Sequence, residues 1–216
     1  IVDVVEPAAM LAVIALALVF GSHSNRKGFL VFACIALALT AARRLNNAIV
    51  SWTDLQDLRT YTWLASVMWV PTMTAWLLAW NSWRLPAWRS IDALAVVLGT
   101  AGIVGALADL PTWASISRLG SLALFVVIMA RIVRGSPPRI LALVTLATVL
   151  ASLFGGELLD PIGVPGIWFP FNIGVSRTQY IYAISIPLLA VLMVRPLGKG
   201  DVTNSVVPRH MISHAN

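Results

Sequence analysis

Seven mostly apolar stretches, each close to the length of a bilayer crossing, follow one another with short links between them. They lie at about 8–21, 29–51, 61–80, 91–108, 116–133, 140–158 and 178–194. A helix rises about 1.5 Å per residue, so roughly 20 apolar residues cross the ~30 Å of hydrocarbon in a membrane. The stretches consume nearly all 216 residues and leave no room for a sizeable water-soluble domain. Hydrophobic residues make up 59% of the chain and charged ones 11%, far from the balance of a soluble fold. Barrel strands would alternate apolar and polar residues, and no segment does so. The sequence therefore predicts an all-α integral membrane protein. Its domain is a bundle of seven transmembrane helices over residues 1–195, and a polar tail at 196–216 is expected to be partly disordered.

The net charge of +6 would suit nucleic acid, but its distribution points to a membrane. With the first span running from outside to inside, the inner links and tail carry Arg26, Lys27, Arg84, Arg89, Arg131, Arg134, Arg139, Arg195, Lys199 and Arg209. The outer side carries Arg43, Arg44, Arg59, Arg118 and Arg177 among seven acids. An excess of Lys and Arg on one face marks the cytoplasm. The expected topology is N-terminus outside, C-terminus cytoplasmic, with the lipid bilayer as the obligatory partner and no role for nucleic acid. The first span lacks a preceding basic region and a convincing cleavage site, so it reads as a span rather than a signal peptide. Cys34 is the single cysteine, which rules out an intramolecular disulfide and suits a small core filler.

Several local features have structural readings. Trp76, Trp80, Trp83 and Trp88 precede the fourth span and read as an interfacial belt at headgroup level. Ser90 and Asp92 read as a cap for that span. Ala101, Gly102, Gly105 and Ala106 in span four, and the Thr, Ser and Gly residues of span six, allow close helix approach in lipid. The link from Glu157 to Arg177 holds three prolines, three glycines and an aromatic run, Trp168 to Phe171. It is too apolar to hang in water and is expected to fold back over the outer end of the bundle or to lie in the interface.

"TAARRLNN" (40–47) raises the functional question. Span two needs these residues to complete its crossing, which sets Arg43 and Arg44 in the outer part of the hydrocarbon. Thr40, Arg43 and Asn47 share one stripe, so Arg43 is expected to face the bundle and Arg44 to snorkel outward. Two readings stay open: an outer anchor paired with a loop acid, or the wall of an outward-facing polar pocket. Span three would add Tyr61, Trp63 and Ser66, with a bend at Pro71, and span seven Gln179 and Tyr182. With Glu157 and Trp168 these residues describe an aromatic, mildly cationic cavity for a small anionic or aromatic ligand.

What is missing narrows the function. All three histidines, His23, His210 and His214, fall in links or tail, so neither a bis-histidine haem site nor an intramembrane zinc site is expected. No acid is placed at mid-membrane, which argues against a proton-coupled pump. No lysine lies in span seven to carry retinal, and no Ser/His/Asp set assembles. No catalytic residue, metal or cofactor is therefore expected.

The run "TYTWLASVMWVPTMTAWLLAWNSW" (60–83), with its central proline and aromatic exit, resembles the seven-helix membrane sensor regions of bacterial histidine kinases and related signalling proteins. That resemblance implies a multi-pass protein of the bacterial inner membrane that detects a signal and passes it to a cytoplasmic output domain. The expected function is thus a non-catalytic sensory or receptor-like module. The rivals are an accessory subunit of a larger membrane complex and a small-solute transporter.

Overall fold

In lipid every backbone N–H and C=O must find its partner within the protein, and long aliphatic runs satisfy this by coiling into helices. The computed structural model describes residues 2–21, 26–52, 58–83, 87–134, 140–169 and 174–194, and they are almost wholly helical. In chain order the helices are α1 (Val2–Phe20), α2 (Lys27–Trp52), α3 (Leu58–Ser82), α4 (Arg89–Leu107) and α5 (Pro111–Val133). They continue with α6 (Ile140–Leu153), α7 (Gly155–Leu159) and α8 (Arg177–Val194). Two short strands, β1 (Ile167–Trp168) and β2 (Val175–Ser176), pair antiparallel with Ile167 opposite Ser176. The tail expected at 196–216 lies outside the described residues.

Helices α2, α4, α5 and α8 are each long and apolar enough to cross a membrane. Helix α6 and the α7 segment form a fifth candidate, bent by 103° at the break. The sequence reading ran span six straight to residue 158. The helix instead stops at Leu153, where Phe154 leaves helical geometry and Gly155 and Gly156 follow. Phe154 is fully buried against Trp69 and Phe125, both edge-on at 5.9 Å, and that packing holds the corner.

Each helix packs on the next from α1 to α6; α6 packs on α8, and α8 returns to α1. Helix α3 also touches α5, which leaves α4 on the flank. Helix α4 meets its neighbours through Ala95, Gly99, Gly102 and Gly105, all buried. A methyl group on Gly102 would collide with Ser117 Oγ of α5, and the Ser117 hydroxyl donates across the seam to Leu98 O at 2.7 Å. The stripe of small residues thus does what small residues do between helices in lipid.

The tryptophan belt is corrected. Trp76, Trp80 and Trp83 are buried in the core, and only Trp88 is exposed. Their i, i+4, i+7 spacing continues one face of α3, turned inward, with Trp83 just past the helix end. Phe29 of α2 meets Trp80 at 5.4 Å and Trp83 at 4.8 Å. Asp92 stands in the first turn of α4, where the helix dipole favours an acid, but no side chain caps that turn, and Asp92 accepts from Asn81 Nδ2 at 2.8 Å.

Candidate functional site

Polar side chains gather at the two ends of the bundle. At one end stands Asn81, the last-turn amide of α3, 1% exposed. Its Nδ2 donates to Trp88 O at 2.9 Å and to Asp92 Oδ1 at 2.8 Å, while its Oδ1 accepts from Arg131 Nη1 at 3.1 Å. One neutral amide thereby ties α3, α4 and α5. Arg131 also lies over the Trp88 ring at 4.5 Å, and Arg26 lies over Trp83 at 3.5 Å.

At the other end three arginines meet three carboxylates. Arg44 of α2 lies 3.5 Å from Glu6 of α1, and its guanidinium stacks over Tyr182 of α8 at 4.8 Å. Arg118 of α5 pairs with Glu157 of α7, with one contact at 2.8 Å, and covers the Trp69 ring. Arg177 of α8 donates to Asp160 at 2.6 Å and to Val164 O at 2.8 Å. Every pair joins elements distant in sequence, so this end is closed by charge matching.

The outward orientation expected of Arg44 is corrected: Arg44 turns into the bundle, onto Glu6 and Tyr182. Residues 43 and 44 differ by about 100° around the helix, so only one can face α1 and α8. Thr40 is buried, and its hydroxyl donates back to Ala36 O at 2.7 Å. Arg43 and Asn47 are half-buried on α2. The partner acid is Glu6, 7% exposed, which the sequence reading left outside the first span. Helix α1 begins at Val2 and carries Pro7 within it, so Glu6 sits one turn inside the bundle.

The remaining candidates are spread over this end. Glu157 is engaged by Arg118 rather than Arg43. Trp168 meets Tyr180 with ring centres 5.2 Å apart and the planes tilted by 52°. Tyr182 is buried beneath Arg44. Gln179 forms a reciprocal cap at the start of α8: its Oε1 accepts from Ser176 N at 2.7 Å, and its own N–H points to Ser176 Oγ at 3.4 Å. Tyr61, Trp63 and Ser66 lie on α3, with side chains outside the described residues. The outer link carries β1, which pairs with β2 just before α8. It is a rim rather than a lid, for Ile167, Trp168 and Phe169 stay exposed; positions 170–173 lie outside the described residues.

Between α1 and α8 the same end holds a cleft of about 400 Å³, lined by Val5, Glu6 and Ala9 on one side and by Gln179, Ala183 and Pro187 on the other. Its size is that of a small-molecule site. Its walls are almost wholly apolar, and Glu6 is its one acidic lining residue. No group of three or more His, Cys, Asp or Glu side chains suited to a metal occurs among the described residues. No family model, curated protein or solved structure matches the chain.

Proposed function

We propose that this chain is a non-catalytic membrane sensory or receptor-like module that binds a small ligand at its outer end and passes the event to a cytoplasmic output domain or partner. In this reading α1 to α5 and α8 cross the bilayer, and α6 with the α7 segment makes the seventh span. The N-terminus and the hairpin face outward, and residues after Val194 face the cytoplasm. The split of basic residues supports that sidedness, and the return of α8 onto α1 supports a closed seven-helix ring.

The observation that carries the reading is the cleft between α1 and α8. One of its walls is α8, a helix 18 residues long that leads from this end to the opposite one. A ligand with different affinities for two positions of α8 shifts their populations, and packed helices slide by about 1–2 Å in such transitions. The far end of α8 would report the shift.

Purification of the full-length protein from its native membranes tests this. A cytoplasmic signalling domain, in the same chain or as a partner, is the expected result. Recovery in fixed stoichiometry with other membrane subunits would replace the reading with an accessory subunit, and solute flux in liposomes would replace it with a transporter. Sidedness is checked by labelling from outside, which should reach Gly163→Cys and miss Ser136→Cys.

A further inference from the structure

The cleft between α1 and α8 offers about 400 Å³ with almost no polar surface. Its one acid, Glu6, has its Oε2 atom buried, 3.5 Å from Arg44. A polar or charged ligand would give up its hydration there and gain no partner from the walls. Hydrocarbon gives up nothing. The length of the trough fits the same occupant. Arg177, at the start of α8, pairs with the exposed Asp160 and marks the polar level. From Arg177 to Pro187, the deepest lining residue of α8, the helix rises about 15 Å. One leaflet supplies half of the ~30 Å hydrocarbon layer, so the trough runs the depth of one leaflet. Tyr180 lines the cleft and meets the exposed Trp168, and both residue types favour the headgroup level. Val5, Ala183 and Pro187 are exposed, as are Leu11 and Ile184 beside them. The trough is thus continuous with the apolar outer surface of a membrane-embedded chain.

We infer that the α1–α8 cleft seats one acyl chain of a membrane phospholipid, with the headgroup at the rim formed by Tyr180 and Trp168. This names the ligand class of the sensory reading, and it rests on that reading for its purpose but not for its chemistry. The surrounding tails are as apolar as the walls, so the gain on entering is contact rather than escape from water. A chain in the trough meets protein on two sides, whereas a chain against a single helix meets it on one. The seated lipid therefore outlasts its neighbours at the protein surface.

The test is photolabelling of the purified protein in phosphatidylcholine nanodiscs, using phosphatidylcholine with a diazirine on its acyl chain, followed by peptide mapping. Peptides of α1 and α8 should carry at least about twofold more label than those of α4 and α5, as contact on two sides rather than one requires. Ala183→Phe and Ala9→Phe fill the trough from opposite walls, and each should bring that excess down to the level of α4 and α5. Val97→Phe, on the exposed face of α4, should leave the excess in place. Melting temperatures close to that of the native chain check that the variants fold. Equal label on all four helices would mean ordinary surrounding lipid and overturn the inference, as would an excess that survives both filling variants. A disulfide-linked dimer through Val5→Cys, in a Cys34→Ala background, would make a second copy the occupant and overturn it too. A lipid seat in a chain with no signalling output would count against the sensory reading alone, and output without the seat against the cleft alone.

Discussion

The two ends of the bundle solve one problem by opposite means. Near Asn81 a single uncharged amide holds three elements together through one donor group and one acceptor. Near Arg44 the helices are joined by full charges, each arginine matched to one carboxylate. An amide costs little to desolvate and can donate and accept at once. A buried ion pair repays its desolvation only with good geometry, and removing one partner strands the other. The amide end should therefore be the mechanically stiffer one, and the charged end the one that can rearrange.

The sharpest way to break this contrast is Asn81→Leu. It strips hydrogen bonds from Asp92 and Arg131 together, and a bond to a charged group is worth about 1.5–3 kcal/mol. A loss of about 3 kcal/mol is expected, read as a fall in Tm in detergent. A fall no larger than that of the single-charge variants would erase the distinction.

Next in size is Arg44→Ala, which leaves Glu6 buried beside Tyr182 without its cation and should cost about 2 kcal/mol. Arg43→Ala should cost less than half of that. The double variant Glu6→Leu with Arg44→Leu should recover most of the lost stability, because both desolvated charges leave together. Additive losses in a double-mutant cycle would show that the two side chains act independently.

The smallest effect belongs to Asp160→Asn. Asp160 is 62% exposed at the Arg177 contact, so the change should cost about 0.5 kcal/mol or less and shrink further in high salt. A salt-insensitive loss above about 1 kcal/mol would place this pair with the buried ones.

Much of the architecture was legible because hydropathy reports length and burial in lipid directly. Apolar windows near 29–51, 91–108, 116–133 and 178–194 correspond to α2, α4, α5 and α8. Rotation about the helix axis was less legible. Trp76, Trp80 and Trp83 carry a one-face spacing that marks them as core, and reading tryptophan by its interfacial habit concealed it. Arg43 and Arg44 show the same limit: adjacent positions, one inside, with the choice made by Glu6 more than 35 residues earlier in the chain. The apolar window of the first span begins at residue 8, whereas helix α1 begins at Val2 and runs through Pro7, so Glu6 lies inside it. Of the site candidates, Gln179 lines the cleft and Tyr182 lies beneath Arg44, while Glu6, Ala183 and Pro187 were not singled out.

Helix α6 has only 14 residues before its corner, a rise of about 21 Å, whereas α5 beside it has 23, a rise of about 35 Å. A hydrocarbon layer of ~30 Å is spanned by the second and not by the first. In the proposed seven-span topology, either the bilayer is thinner along the α6 side, or α7 and the hairpin, turned by 103° from α6, sit among the headgroups below the level where α5 emerges. In either case the protein meets a lopsided membrane, shallow on one flank and full depth on the other. It should gather in bilayers of shorter-chain lipid, where that asymmetry costs least.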